Sequence, residues 1–123
     1  MPAAPVTIDF LNKTKNQIDL TPVEKRLGFT LRRLGQVDKV GIELVVVDDN
    51  EMTKLNQKYR NTTGTTDVLS FENPTNQEII GSVVISYNQA ALQAKQANLP
   101  FIDQFSLLAN HGFLHLLGYH HEE

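Results

Sequence analysis

The sequence predicts an α+β domain, built on one mixed sheet of about four strands with helices packed against it. Short alternating or β-branched segments are interleaved with helical ones along the chain, which is the pattern of this fold class. The 123 residues are enough for one core but hardly for two, so we expect a single domain over residues 1–123. A hydrophobic share of 41% fits an ordinary soluble chain.

The first half of the chain is predicted to form a strand, a helix and a second strand. Residues 6–10 alternate in polarity, as in a half-buried strand. Thr21 and Pro22 are a helix start signal, in which the Thr21 hydroxyl caps the helix and proline lies in the first turn. Gly35 marks the end of this helix. The β-branched run at residues 40–47 is the predicted central strand.

Capping and turn residues define the elements of the second half. Asp and Asn side chains favour helix starts, and Asn-Pro pairs favour turns. In chain order, we expect a helix from the capping residues 48–50 to Tyr59, followed by a polar loop at 61–66. Strands at 68–71 and 82–86 come next and are joined by a turn at 73–76. A helix at 88–97 and a last helix that carries histidines complete the chain.

All four histidines lie between residues 111 and 121, and three of them have the spacing of a metal site. On an α-helix, His111 and His115 lie about 6 Å apart along the axis and about 40° apart around it, so both imidazoles can reach one ion. Gly118 can end the helix in a left-handed conformation, which lets the chain fold back towards His121. Three ligands with one open position are typical of catalytic zinc. The sequence therefore predicts a metal site on the C-terminal helix, held by His111, His115 and His121.

Two other interpretations of these histidines remain. Residues 101–117 are apolar nearly all round, which predicts a buried helix. Burying unpartnered histidines is unfavourable, and a metal ion would compensate, but polar groups of the core could satisfy them as well. A remnant of an affinity tag is the third interpretation, against which the interruption by Gly118 and Tyr119 argues.

The same spacing occurs in the long motif of zinc peptidases, where a glutamate follows the first histidine as general base. Here that position is Gly112, which argues against a peptidase. Because the chain has no cysteine, its metal ligands must be nitrogen or oxygen atoms. Three imidazoles and a water suit Zn²⁺ best, although Ni²⁺, Cu²⁺ and Co²⁺ also accept imidazole.

Residues 111–121, H-G-F-L-H-L-L-G-Y-H-H, resemble the motif H-G-x-L-H-L-x-G-Y-D-H of the YbeY-type metal-dependent endoribonucleases of bacteria. Ten of the eleven positions fit, counting the free ones. Residues 55–60 followed by 66–71, and residues 80–86, resemble two further family segments, so the resemblance extends from about residue 40 to the end. It implies the same α+β architecture, with the metal in a cleft beside the sheet.

The chain departs from the family pattern at two positions. The family usually has aspartate where this chain has His120, and aspartate after the glycine where it has Ser82. Either carboxylate could orient a metal ligand through a hydrogen bond, so both departures bear on metal affinity and activity. His120 could itself act as an acid or base near the metal, or be simply exposed.

The resemblance implies a metal-dependent, single-strand-specific endoribonuclease in rRNA maturation and ribosome quality control, with an rRNA precursor as substrate and the ribosome or a ribosomal protein as partner. A metal-bound water is the natural nucleophile, since a divalent cation lowers its pKa towards neutrality. Arg60 is the candidate catalytic and substrate-binding residue, because guanidinium binds phosphate bidentately and the resemblance places an important arginine there. Its alternative role is that of a surface arginine at a helix end.

Two other polar residues are candidates for this site. Ser70 is a possible substrate-binding hydroxyl, although strand hydroxyls are more often structural. Asp67 either contacts Arg60 or caps the loop before the strand.

The net charge of −3 is in tension with RNA binding, which normally depends on a basic face. Basic residues are nevertheless grouped in two predicted helices, as solvated faces or as local patches: Lys25, Arg26, Arg32 and Arg33 in the first, and Lys54, Lys58 and Arg60 in the second. No run is long enough to span a membrane, and no leader pattern precedes the first strand, so we expect a cytoplasmic protein.

Two other functions fit the same residues. One is a zinc hydrolase that cleaves an amide or ester, because zinc polarises a carbonyl as readily as a phosphoryl group. The other is a non-catalytic, ribosome-associated factor whose metal stabilises the last helix. Replacing Arg60 with alanine should abolish RNA cleavage but leave amide or ester hydrolysis largely intact. A loss of thermal stability alone on metal removal would favour the factor.

Overall fold

A mixed β-sheet organises the molecule in the computed structural model, which describes residues 6–35, 38–60, 64–73 and 78–119. Within these residues the sheet has four strands in the order β1-β2-β4-β3. The strands are β1 (Val6–Asn12), β2 (Val40–Val47), β3 (Val68–Glu72) and β4 (Ile79–Ser86). This confirms the predicted mixed sheet of about four strands, with the β-branched run of β2 in its interior.

The strand directions follow from the connections. β1 pairs with β2 and β2 pairs with β4 in parallel, while β3 is antiparallel to β4 at the sheet edge. Parallel neighbours require a crossover, which helix α1 (Thr21–Arg33) supplies between β1 and β2. The turn predicted at residues 73–76 lies outside the described residues except for Asn73, whose N–H donates to the Ile80 carbonyl.

The remaining helices are α2 (Asp49–Arg60), α3 (Tyr87–Ala97) and α4 (Phe101–Leu116). The predicted cap of α2 is confirmed, since the Asp48 carboxylate accepts a hydrogen bond from the Glu51 N–H at 2.9 Å. None of the helices within the described residues is long and apolar enough to cross a membrane.

The predicted cap of α1 is wrong. Thr21 is the first helical residue, Leu20 is the N-cap, and no side-chain cap bond is formed from it. Asp19 acts instead, because its Oδ1 atom accepts a hydrogen bond from the Thr21 N–H at 3.0 Å. This backbone hydrogen bond, together with one from the Thr21 side chain, lowers the pKa of Asp19 below its ordinary value. The helix can therefore begin one residue earlier than predicted; its predicted end is confirmed by Gly35, with φ of 79°.

The two faces of the sheet carry cores of different size. The large core lies between the sheet and helices α1, α3 and α4, and includes Leu27, Leu44 and Phe113. The small core lies on the opposite face under α2, and its buried members are Val47, Met52, Leu69 and Val84. The expectation that α4 is buried on every side is wrong: Leu107 is 40% exposed, because α1, α3 and the sheet leave one side of the helix to solvent.

Candidate active site

His111 and His115 lie one turn apart on α4, as predicted. Their ring centroids are 4.5 Å apart, with an angle of 48° between the ring planes. Both side chains are half-buried, and the Nε2 atom of His115 is buried. Two imidazoles on adjacent turns of one helix face are a suitable arrangement for a shared cation.

A close contact between α4 and the sheet holds this turn in place. A Cβ atom at Gly112 would lie 2.7 Å from Cγ1 of Val83 and 3.4 Å from Cγ2 of Val68, so glycine is needed for the helix to approach this closely. On the other side of the turn, the Thr30 hydroxyl of α1 donates to Oδ1 of Asn110 at 2.5 Å. The backbone between the two histidines is therefore fixed by the sheet, and the residue before them by α1.

The helix ends as the sequence predicts. Gly118 has φ of 95°, in the left-handed region. The Gly118 N–H donates to the His115 carbonyl at 3.0 Å, and the Tyr119 N–H donates to the Leu114 carbonyl at 2.9 Å. These two bonds form the glycine-terminated C-cap that turns a chain away from its helix axis.

His120 and His121 lie outside the described residues. Among the residues that are described, no group of three or more His, Cys, Asp or Glu side chains could hold a metal ion. The two imidazoles of α4 fit a cation that prefers nitrogen ligands, and His121 as the third ligand stays a prediction.

A pocket of about 500 Å³ lies beside these histidines at the β3 edge of the sheet. It is formed where the end of α2, strand β3 and helix α4 meet. Its lining includes four of the predicted site residues, Arg60, Ser70, His111 and His115. The complete lining is Tyr59, Arg60, Thr66, Asp67, Val68, Leu69, Ser70, Phe71, His111, Gly112 and His115.

Arg60 and Ser70 reach the pocket from different elements. Arg60 is the last residue of α2 and has an exposed side chain, so it is a surface residue at a helix end and a pocket residue at once. Ser70 is half-buried on β3 and pairs with Val83 of β4, on the sheet face that α4 covers. The predicted cation and hydroxyl therefore line the same cavity as the imidazoles.

Asp67 has the capping role that was one of its two predicted roles. Its Oδ1 atom accepts a hydrogen bond from the Val68 N–H at 2.8 Å. Its Oδ2 atom accepts one from Gln93 Nε2 at 3.0 Å, and Gln104 Nε2 donates in turn to Gln93 Oε1 at 2.9 Å. This chain of side chains ties the entry of β3, and thus the floor of the pocket, to helices α3 and α4.

Ser82 does not face the histidines. Its neighbours on β4 point towards α4, since a Cβ atom at Gly81 would meet the Leu116 side chain at 2.6 Å and Val83 contacts Gly112. Side chains alternate along a strand, so Ser82 lies on the opposite face, where its hydroxyl donates to Glu43 Oε1 at 2.7 Å. Ser82 therefore orients neither His111 nor His115 through a hydrogen bond.

Sequence reasoning missed the two aromatic residues of the pocket, Tyr59 and Phe71. A local signal existed, because each directly adjoins a residue that was predicted to bind substrate, Arg60 and Ser70. Nothing in the sequence, however, indicates that the end of α2 lies against β3.

Known proteins resemble this chain over most of its length. Residues 9–123 match the family model described as endoribonuclease YbeY. A relative from Aliarcobacter butzleri with the name endoribonuclease YbeY is 42% identical, and the match covers 94% of this chain and 79% of the relative. Another of that name from Syntrophus aciditrophicus is 36% identical, with 88% of this chain and 71% of the relative covered.

A solved structure also shares the fold. The solution structure of a Thermotoga maritima protein superimposes with a TM-score of 0.65 and 27% sequence identity, covering 94% of this chain and 75% of that one. The family match, the similar relatives and the shared α+β fold all lead to one conclusion: the chain belongs to the endoribonuclease YbeY family.

Proposed function

We propose that this protein is a metal-dependent, single-strand-specific endoribonuclease that acts on rRNA precursors in ribosome maturation and quality control. The observation that carries the proposal is the pocket that joins the imidazoles of His111 and His115 to the guanidinium of Arg60. The name that its relatives share, endoribonuclease, supports the substrate class. The ribosome, or a ribosomal protein, is the proposed partner and the cytoplasm the proposed location.

The metal ligands in this proposal are His111, His115 and His121, with Zn²⁺ as the preferred ion and Ni²⁺ or another divalent cation as a substitute. The tilted rings of His111 and His115 support the first two ligands. A bound divalent cation would supply a water molecule whose pKa is lowered towards neutrality. The protein's own contribution is to hold the imidazoles in place through the contact of Gly112 with Val83.

Arg60 has the role of binding the scissile phosphate. A guanidinium group can form two parallel hydrogen bonds with phosphate oxygens, and these bonds strengthen as negative charge develops during cleavage. The exposed position of Arg60 at the pocket rim supports this role, since a phosphodiester can reach it from solvent. Ser70 lies deeper in the same pocket and has the role of donating its hydroxyl hydrogen to the bound substrate.

The acidic net charge is compatible with a short RNA footprint. Lys54, Lys58 and Arg60 are all exposed on α2, in a chain whose net charge is −3. If each of the three neutralises one phosphate, log K for single-stranded RNA falls with log salt at a slope of about −2. A much steeper slope would require a larger basic surface than α2 provides.

RNA cleavage at controlled metal occupancy tests the proposal. The protein is stripped with chelator, its metal content is measured, and single-stranded and duplex rRNA fragments are then offered with and without added Zn²⁺. We expect cleavage of the single strand only, restored by Zn²⁺ and absent from His115→Ala. Tight metal binding by the wild type without RNA cleavage would contradict the proposal.

Arg60 variants test the proposed phosphate contact separately. Arg60→Ala should lower kcat/KM by about 100- to 1000-fold, as loss of a group that stabilises transition-state charge does. Arg60→Lys should recover only part of the activity, because an ammonium group lacks the planar fork. Arg26→Ala is the matched control, an exposed arginine of α1 that does not line the pocket. If it lost as much activity as Arg60→Ala, the contribution of Arg60 would be general electrostatics.

A further inference from the structure

Tyr59 presents an aromatic ring at the mouth of the pocket. Its side chain is 56% exposed, and among the large hydrophobic side chains that are both described and exposed it is the one that lines this pocket. Its neighbours on the outer side of α2, such as Lys54, Gln57 and Lys58, are polar. Its distinguishing feature is therefore its place at the pocket and not its exposure alone.

Phe71 holds the ring of Tyr59 in place. The two ring centroids are 5.1 Å apart, and the ring planes are inclined by 68°, which is a favourable edge-to-face geometry. Phe71 is itself packed against the small core under α2, so its position is fixed by the sheet. Tyr59 is therefore an exposed ring on a fixed support.

One positive charge lies over the ring, and a second follows it in the sequence. The Nζ atom of Lys58 lies 5.1 Å from the centroid of the Tyr59 ring, and Arg60 is the next residue along the chain. An exposed aromatic ring accompanied by cations is a typical surface for single-stranded nucleic acid, in which the cations contact phosphates and a base stacks on the ring. A paired base in a duplex is already stacked on both sides and does not offer its face to a protein ring.

We propose that Tyr59, supported by Phe71, is a platform on which an unpaired RNA base next to the cleaved phosphodiester stacks, and that this contact determines the preference for single strands. The inference rests on the proposed RNA-cleaving function of the same pocket and names the feature of RNA that the pocket recognises. Stacking does not depend on base identity, so the platform selects unpaired over paired RNA and discriminates little among sequences.

Three variants of exposed aromatic residues test the platform. Tyr59→Ala removes the ring, and Tyr59→Phe keeps the ring but removes the hydroxyl. Phe29→Ala is the matched control, an aromatic residue of α1 that is 47% exposed and does not line the pocket. Each is assayed for cleavage of a single-stranded RNA, of the same sequence in a duplex, and of the single strand with an abasic site beside the scissile phosphate.

We expect Tyr59→Ala to lower kcat/KM on the single strand about tenfold, mainly through KM, as loss of one stacked base predicts. Tyr59→Phe should retain most of the activity that Tyr59→Ala loses, and Phe29→Ala should behave as the wild type. The abasic substrate should be a poor one for the wild type, and Tyr59→Ala should cleave it no worse than the wild type does. An unchanged kcat/KM of Tyr59→Ala on the single strand, or an equal loss in Phe29→Ala, would overturn the inference.

Equilibrium binding keeps this inference separable from the proposed function. Fluorescence anisotropy with the labelled single strand and its abasic counterpart measures the platform whether or not cleavage occurs. If the wild type binds but does not cleave, the proposed function fails and the Tyr59 comparison still decides the platform. If the wild type cleaves RNA but binds the intact and the abasic single strand equally well, the platform fails and the proposed function stands.

Discussion

The two faces of the sheet contribute to the pocket in different ways. The face with the large core is covered by α1, α3 and α4, and it holds the histidine turn through the close contact of Gly112 with Val83. The opposite face is covered mainly by α2, and the end of that helix carries Tyr59 and Arg60. The proposed metal ligands, which need a fixed geometry, come from the face with the large core (the thick face). The residues proposed to contact RNA come from the face with the small core (the thin face).

Hydrogen bonds anchor the thin face where apolar contacts are few. Asp49, in the first turn of α2, accepts a hydrogen bond at its Oδ1 atom from the buried Ser86 hydroxyl at 2.7 Å. Gln89 Nε2 donates to Oδ2 of the same carboxylate at 3.2 Å. At the other end of the helix, Asn56 Nδ2 donates to the Gly64 carbonyl at 3.0 Å. Polar bonds thus fix the direction in which Tyr59 and Arg60 project.

The largest expected effect comes from the thick face. Phe113→Ala should destabilise the protein by about 3–5 kcal/mol, because Phe113 is fully buried in the large core. Met52→Ala in the small core should cost about 2–3 kcal/mol, since fewer neighbours surround the side chain. Urea unfolding measures both free energies. The contrast between the faces is wrong if Met52→Ala is the more damaging change; Leu107→Ala, on the exposed side of α4, is the control and should stay within about 0.5 kcal/mol.

Gly112→Ala should have the next largest effect, because its Cβ atom would lie 2.7 Å from the Val83 side chain. We expect a loss of about 1–3 kcal/mol from overpacking and a weaker affinity for Zn²⁺, since the turn between the histidines must move. Thermal unfolding measures the loss of stability, and metal titration measures the affinity for Zn²⁺. Adding Val83→Ala should make the combined loss smaller than the sum of the single losses; strict additivity would mean that the two side chains do not collide.

Asp49→Ala should have a moderate effect. It leaves the buried hydroxyl of Ser86 without its acceptor, which costs about 1–2 kcal/mol. A double-mutant cycle with Ser86→Ala measures the coupling, expected at more than about 0.5 kcal/mol. RNA cleavage should fall as well, because α2 carries Arg60. An Asp49→Ala protein of unchanged stability would show that apolar contacts alone hold the thin face.

The smallest expected effect concerns Asp19, at the start of α1. Its pKa is lowered by hydrogen bonds from Thr21, so the folded state favours the carboxylate. A depressed folded-state pKa stabilises the protein above the ordinary aspartate pKa, and this contribution is lost as the pH falls through the folded-state value. Wild type and Asp19→Ala should therefore differ in stability at neutral pH and converge in acid. Parallel curves of stability against pH would exclude this coupling.

Local patterns predicted much of this structure. The Asp48 cap, the β-branched strand β2 and the left-handed Gly118 all depend on neighbours in sequence, and all are confirmed. The cap of α1 was misassigned because two polar residues, Asp19 and Thr21, compete within one turn. Sequence alone does not say which of the two side chains accepts the hydrogen bond at the start of the helix.

Features that depend on tertiary contacts were harder to predict. The side on which Ser82 lies could not be deduced from alternation, because Val83, Val84 and Ile85 are all buried when helices cover both faces of the sheet. Tyr59 was missed because its place in the pocket depends on how α2 ends against β3. The histidine pair was predictable, since a spacing of four fixes two side chains on a helix whatever the helix packs against.

The contact at Gly112 also limits what chemistry this helix can evolve. A zinc peptidase needs a glutamate at this position, but any side chain here would enter the space of Val83 and Val68. A Gly112→Glu substitution alone would push the helix away from the sheet and displace the two imidazoles, so the new carboxylate could not act as a base beside them. A glutamate at this position would therefore require smaller residues at positions 83 and 68 to appear first.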